Sequence, residues 1–362
     1  MDKITYFSTL GIAAFKNIFD KKFTFSRTVN CITGANGTGK TNLLDALYVI
    51  CLTKSFAGHS DIQCVPYHLD YYRIIASIYK NGQLNDVCCS YSNNTKKKIE
   101  MDGIIYDKFA AHVGKYPVVM VTPDDTDLLH DGAEVRRKFF DGVLCQTNAE
   151  YLKTLTQYNY VLKSRNLILK QCYENQRTEY RLLEPYSKRL VSLAHHIYEH
   201  RMKHINAIMP IFVQKYGSLS LHKEKVSIQY TSDLASGDFE QKFMSIATQD
   251  VAAQRTTMGI HTDDYEFSMD ERPVRKTASQ GQKKTYVLAL KLAQYQYINI
   301  ASDTKPILLL DDIFDRLDND RVAKLVQMIQ SHDFGQVFIT DAVPERCTKW
   351  LGNIDGVHMI EM

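Results

Sequence analysis

The octapeptide Gly34-Ala35-Asn36-Gly37-Thr38-Gly39-Lys40-Thr41 satisfies the pattern G-x-x-x-x-G-K-[ST] at every fixed position. Such a loop works only where a strand runs into it and a helix runs out of it. Both are legible. Val29 to Thr33 is a short apolar run, and Leu43, Leu44, Leu47 and Ile50 recur at helical spacing. The sequence therefore predicts a strand over 29–33 and a helix over 40–52. In that setting small residues let backbone N–H groups wrap phosphates, and the helix N-terminus adds its dipole. Lys40 is placed to meet the β- and γ-phosphates, and Thr41 to offer a hydroxyl to Mg²⁺.

A second stretch, Pro306-Ile307-Leu308-Leu309-Leu310-Asp311-Asp312, reads as a buried strand ending in two carboxylates. In a parallel sheet Asp311 would stand beside the phosphate loop, where it can hold Mg²⁺ through water. Asp312, one residue on, is positioned to polarise an attacking water. Acidic strand ends are common, so this stretch gains its meaning from the phosphate loop. Ser279-Gln280-Gly281-Gln282 begins 32 residues before Asp311 and opens a helix expected over 283–293. Ser279, Gly281 and Gln282 form a second anion-directed helix start. Alone it would be an ordinary N-cap. In a chain that already owns a phosphate loop, it makes sense as a cap on the γ-phosphate held by a partner copy.

The intervening chain changes character once. Tyr71–Tyr79 and Asp86–Tyr91 alternate around Asn81-Gly82, and Ile99–Met101 and Ile104–Tyr106 flank Asp102-Gly103. Both are hairpin signals, and together they predict an antiparallel sheet. After the strand Val118–Thr122, helical periodicity dominates from about Asp125 to Tyr216, with Pro210 expected to kink or end the last helix and Gly217 to close the region. The predicted organisation is 1–125 and 256–362 as two halves of one α/β nucleotide-binding head, split by a helical lobe over 126–255.

Charge enters through its distribution. Arg136 to Lys203 carries thirteen Lys/Arg against six Asp/Glu, in a chain of net charge +3. A basic middle in an acidic remainder fits a polyanion partner or a solvated helical surface equally well. The eight cysteines include no C-x-x-C pair. No leader-like apolar stretch follows Met1-Asp2-Lys3-Ile4, and no apolar run reaches membrane-spanning length. The expectation is a reduced, cytoplasmic protein with no membrane partner.

These motifs resemble the ABC-type ATPases of chromosome maintenance, which include SMC and RecF proteins, and within them the RecF family. The resemblance is carried by Gly34 to Thr41 with Asn42-Leu43-Leu44, by Lys54-Ser55-Phe56, and by Val121-Thr122-Pro123-Asp124-Asp125. It continues through Arg136-Arg137 before Phe139-Phe140-Asp141, Tyr158 with Leu162 to Arg165-Asn166, and His261 with Asp263-Asp264. It ends with Ala278 to Gln282, Leu288 to Ala293, and Leu308 to Asp312 with Leu317-Asp318. SMC proteins would need long coiled coils between the same motifs, and this chain has no heptad series of that length.

The resemblance implies a P-loop ABC-type ATPase head with an antiparallel β subdomain and an inserted α-helical lobe. It implies an ATP-dependent homodimer that clamps duplex, gapped or junction DNA and acts with RecO and RecR to load RecA. It assigns phosphate and Mg²⁺ to Lys40 and Thr41, the Mg²⁺-site carboxylate to Asp311, water activation to Asp312, and the trans γ-phosphate contact to Ser279. ATP and Mg²⁺ are the implied cofactors, with slow hydrolysis as the release step, and Asp318 belongs to the loop facing the opposite subunit. The chain departs from the pattern at Asp341, where a transporter-type head would carry a switch histidine, and at Ala57, Ile260 and Thr262. Two other readings remain: a housekeeping NTPase or nucleotide kinase, which would need neither the insert nor the Ser279 motif, and an SMC-like structural protein.

Overall fold

The computed structural model describes residues 4–176, 179–220, 224–302 and 304–362. Residues 1–3, read above for a leader, and Arg177, counted in the basic surplus, lie outside the described residues. In chain order the described strands are β1 (Thr5–Phe15), β2 (Ile18–Thr24), β3 (Val29–Thr33), β4 (Tyr71–Lys80), β5 (Gln83–Ser92), β6 (Lys96–Met101) and β7 (Ile104–Ile105). They continue with β8 (Val118–Val121), β9 (Val226–Thr231), β10 (Asp264–Met269), β11 (Arg272–Pro273), β12 (Ile307–Leu310), β13 (Val337–Asp341) and β14 (Val357–Glu361).

The chain divides into two compact units, of which the first comprises Met1–Thr126, Lys215–Leu221 and Lys284–Met362. It holds two sheets. One is antiparallel, ordered β2-β1-β4-β5-β6-β7. Its two predicted turns are formed: Asn81 and Gly82, and likewise Asp102 and Gly103, all have positive φ. That pair of left-handed residues matches the twist of the flanking strands. Tyr72, Ile74, Ala76 and Ile78 of β4 point inward in strict alternation.

The other sheet is parallel, ordered β14-β3-β13-β12-β8. Its central strands are buried on both faces, which is why β12 reads as an unbroken apolar run. The helix Lys40–Leu52 occupies the predicted residues, with Leu43, Leu44, Leu47 and Ile50 all at 0% exposure. One apolar cluster joins it to Leu10 and Ile74 of the antiparallel sheet and to Ile32, Leu309 and Phe338 of the parallel one. Each such side chain contributes about 1.5–3 kcal/mol by leaving water. That burial fixes the helix, and with it the loop at its N-terminus.

The second unit comprises Asp127–Gln214 and His222–Lys283. It thus continues beyond residue 255 and carries a three-stranded sheet, β11-β10-β9, beside its helices. β10 pairs antiparallel with β9 from Asp264↔Thr231 to Met269↔Val226, burying Tyr265, Phe267 and Met269 on one face. Its long helices are Ala133–Thr147, Ala149–Glu174 and most of Tyr180–Leu219. The last corrects an expectation at Gly217, which was to close the region but lies inside the helix, and it continues past Pro210 without ending there. Ile205, Ile208, Phe212, Tyr216 and Leu219 stay buried along it, and their packing outweighs costs of roughly 3 kcal/mol for Pro and 1 kcal/mol for Gly.

Buried ion pairs organise the second unit. Arg201, at 1% exposure, donates to Asp141 at 2.9 Å, to Asp263 at 2.7 Å and to the Ile260 carbonyl at 2.8 Å. Arg165 donates to Asp250 and to Thr256, both at 2.7 Å. Arg136 grips both oxygens of Asp264 at 2.6 and 2.9 Å, and Arg137 donates to the Asp263 carbonyl at 2.6 Å. A guanidinium can leave water only when its fork is met in this way. The motif residues Arg136 and Arg137 thus find their partners in Asp264 and Asp263, more than a hundred positions away.

Cys31 of β3 and Cys347 of the helix Pro344–Leu351 lie side by side in the core, their Cα atoms 6.8 Å apart. The two are separated by 316 positions, so local spacing gives no sign of the pair. Among the described residues no helix is long and apolar enough to cross a membrane.

Candidate functional site

All strands of the parallel sheet point one way, so their C-terminal ends share one edge. Thr33 leads into the glycine loop at that edge, Leu310 into Asp311, and Thr340 stands one residue before the end of the strand between them. In open α/β sheets ligands bind along this edge. A cleft of about 280 Å³ opens there, lined by residues of the glycine loop together with Asn17, Asp311, Asp312 and Thr340. A larger hollow of about 690 Å³ lies at the opposite ends of the same strands, around Val29 and Val337. It has no phosphate-binding turn, so the smaller cleft is the site.

The loop from Gly34 to Gly39 exposes Ala35, Asn36 and Gly37. Its backbone needs glycine at Gly37 and Gly39, where φ is +88° and +107°. At Gly39 a Cβ would also lie 2.7 Å from Asn17 Oδ1. Thr38 turns its hydroxyl to the Ala35 carbonyl at 3.0 Å. Lys40 Nζ donates to the carbonyls of Gly34 at 2.7 Å and Ala35 at 3.0 Å, so the ammonium is held over the loop.

Thr41 Oγ1 lies 3.0 and 2.9 Å from the two oxygens of Asp311. Thr340 Oγ1 donates to Asp311 Oδ1 at 2.6 Å and accepts from the Asp312 backbone N–H at 2.9 Å. Burial raises the Asp311 carboxyl above its usual range, and the hydroxyls of Thr340 and Thr41 pull it back toward ionisation. Asp312 has φ +49°, a left-handed conformation that a non-glycine residue keeps only when its surroundings hold it. A hydroxyl and a carboxylate at contact distance form a hard-oxygen pair, the donor set that suits Mg²⁺.

Asn17, in the β1–β2 turn, has no periodicity or motif to announce it. Its Nδ2 donates to the Gly37 carbonyl at 2.9 Å, and its Oδ1 accepts from Asn42 at 2.7 Å. It straps the glycine loop to the start of the following helix. Beside it, Lys16 pairs at 2.6 Å with Asp45, a fully buried carboxylate that also accepts from Ser55 Oγ at 2.7 Å and Phe56 N at 2.9 Å.

Gly34 to Thr41, Asp311 and Asp312 are thus brought together. Ser279, Gly281 and Gln282 belong to the second unit and cluster there. Ser279 is exposed at the head of the helix Gln280–Ser302, which starts three residues earlier than expected. A reciprocal cap sets that start: Ser279 Oγ accepts from Gln282 N at 3.2 Å, and Gln282 Oε1 accepts from Ser279 N at 2.7 Å. Asp318 caps the helix Asn319–Gln330, accepting from Arg321 N at 3.0 Å.

Comparison with known proteins gives one answer. The profile of a family described as an AAA domain matches residues 9–304. The DNA replication and repair protein RecF of Cytophaga hutchinsonii is 37% identical over 94% of this chain and 90% of its own length. The protein of that name from Flavobacterium johnsoniae is 38% identical over 94% of this chain and 95% of its own length. Among solved structures, the recombination mediator protein RecF with ATP, in the RecFOR pathway, superposes with a TM-score of 0.88 at 26% identity, covering 95% of this chain and 93% of that one. An Smc head domain from Pyrococcus furiosus superposes with a TM-score of 0.53 at 16% identity, a likeness of fold alone.

Proposed function

The chain belongs to the RecF family of DNA replication and repair proteins, and from that premise we propose that it is an ATP-switched DNA clamp. Two copies close around two ATP molecules on duplex DNA at single-strand gaps. With RecO and RecR the closed dimer promotes RecA loading, and slow hydrolysis reopens it. The observation that carries this reading is the meeting of Thr41 and Asp311 at 2.9 Å, which joins phosphate loop and carboxylate strand into one site.

The roles follow from position. Backbone N–H groups from Ala35 to Gly39 cradle the phosphates, and Lys40 neutralises the β- and γ-phosphates by exchanging a loop carbonyl for a phosphate oxygen. Thr41 and Asp311 would hold Mg²⁺, which when bound offsets phosphate charge as bond breaking begins. Thr340 keeps Asp311 and the Asp312 backbone in register. Asp312 orients the attacking water and accepts its proton. Ser279 and Gly281, exposed at a capped helix start, meet the γ-phosphate of the opposite copy, with Gln282 holding the turn. In that arrangement nucleotide binding and dimer closure are one event, and DNA bound in the closed dimer is released on hydrolysis.

The division of labour along the chain, with 1–125 and 256–362 as head and 126–255 as lobe, is part of the same proposal, and its boundary near 255 moves toward Lys283 with the compact units. ATP turnover measured with and without gapped DNA is the test. Turnover that gapped DNA stimulates, at well under one per second, is expected. Fast turnover indifferent to DNA would favour a housekeeping NTPase.

A further inference from the structure

Asp341 departs from the transporter-type pattern, and its surroundings give it another task. It closes β13 at 0% exposure. Its Oδ1 accepts from the Val343 N–H at 2.6 Å, from Arg346 Nε at 3.2 Å and from Arg346 Nη2 at 3.1 Å. A carboxylate so engaged faces a guanidinium, whereas one turned toward a triphosphate would be repelled.

Arg346 does not stop at Asp341. Its Nη1 reaches Asp315 Oδ1 at 2.8 Å. Asp315 lies in the helical turn Ile313–Arg316, which Asp312 opens. That turn is consequently tied to the exit of β13 at two points: the Asp312 N–H to Thr340 Oγ1 at 2.9 Å, and Asp315 to Arg346. Between the two ties lies the left-handed Asp312. A planar fork presents donors on separate edges at fixed spacing, here Nε and Nη2 toward Asp341 and Nη1 toward Asp315, a geometry that an ammonium on a flexible stem does not reproduce.

We propose that Arg346 is a positioning residue for ATP hydrolysis, clamping Asp341 to Asp315 so that the Asp312 turn keeps its direction toward the cleft. The inference rests on the ATPase reading and deepens it. Arg346 acts through the turn and touches no substrate, so its loss should fall on the chemical step. The ground-state contacts of the phosphates, made by Gly34 to Thr41, lie elsewhere. A small misdirection of a reacting group costs roughly ten- to a hundredfold in rate.

The experiment measures kcat with Mg²⁺, ATP and gapped DNA, ATP affinity by fluorescent-analogue titration, and ATP-driven dimerisation by light scattering. The variants are Arg346→Lys and Asp315→Ala. Asp315 is half-exposed, so its variant leaves the contact of Arg346 with the buried Asp341 intact and keeps the test open if Arg346→Lys fails to fold. Both variants are expected to lose about tenfold or more in kcat, with ATP affinity and dimerisation within about twofold of the parent. Unchanged kcat in Asp315→Ala overturns the inference. So does a parallel loss of affinity or dimerisation, which would mark the clamp as part of the fold or the interface. The parent protein, measured beside them, separates the two levels: a parent without turnover refutes the ATPase reading itself, and the inference falls with it.

Discussion

Thr41 and Asp311 are 270 positions apart, and their side chains meet at 2.9 Å across the C-terminal edge of one parallel sheet. The contact aligns the phosphate loop with the carboxylate strand, and Lys40 stands next to it. Lys40→Ala should fold, because among the described residues Nζ donates to the loop carbonyls of Gly34 and Ala35 alone, and should lose ATP affinity by at least about tenfold. Titration with a fluorescent ATP analogue checks this. Unchanged affinity in the folded variant would remove the phosphate loop from the reading.

Asp312→Asn tests the hydrolytic role. The amide keeps the shape of the side chain and loses the base, so ATP should still bind while turnover falls by a hundredfold or more. If hydrolysis opens the dimer, the variant should accumulate as a dimer with ATP and Mg²⁺, read by light scattering. Full turnover would assign the water to another group.

Ser279→Arg tests completion in trans. Ser279 is exposed and its cap partner Gln282 lies in the same helix turn, so the monomer's own glycine loop should be undisturbed. The variant is expected to bind ATP normally and to fail in ATP-driven dimerisation. Mixed with Lys40→Ala protein, it should give at most one working site per dimer. Normal dimerisation of Ser279→Arg alone would show that the capped helix start faces nothing in a partner.

What the sequence made legible follows a physical division. The strand 29–33, the helix 40–52 and the strand 307–310 are elements whose own residues decide them, and each is found at its expected residues. The second-unit sheet was missed because β9 and β10 find each other across more than thirty residues, and six-residue strands leave little periodic signal. Gly217 misled as a helix end because local propensity lost to a buried stripe. Within the site, Lys40, Thr41, Asp311 and Asp312 carry motif spacing. Asn17, Thr340 and Arg346 carry none, because they matter only through partners that folding delivers.

Stability should fall in mild acid because of His204. The imidazole is buried against the Phe140 ring, and burial pushes its pKa down from 6.5 to about 3. The unfolded chain takes up a proton below about pH 6.5 that the folded chain refuses, so the contribution is complete above that pH and is lost as pH falls toward 3. At about pH 5.5 the loss is on the order of 1 kcal/mol. Urea unfolding at about pH 7.5 and 5.5 should show a smaller acid penalty in His204→Gln than in the parent, by that amount. His112 and His261, also lowered by burial, act in both proteins and cancel. Equal acid sensitivity would show that His204 accepts its proton in the folded state.

DNA binding should depend on ATP and weaken steeply with salt. The basic surplus between Arg136 and Lys203 motivates this, and the fold divides it. Arg136, Arg137, Arg165 and Arg201 are committed to partners inside the second unit, so they are not free to meet phosphates. Lys153, Lys163 and Lys170 of the helix Ala149–Glu174 are exposed and remain as candidates. Each phosphate neutralised releases condensed counterions, so log affinity should fall against log salt by roughly 0.9 per contact. Contacts to backbone carry little sequence information, and preference should follow gap structure more than base sequence. Anisotropy with duplex, gapped and single-stranded oligonucleotides, across a salt series with and without ATP, measures both dependences. Replacing the three lysines by glutamate should weaken binding and lower the salt slope by about one per lysine that meets a phosphate. An unchanged slope would place the DNA on another face. Affinity that ignores both nucleotide and salt would sink the clamp and return the kinase-like reading to first place.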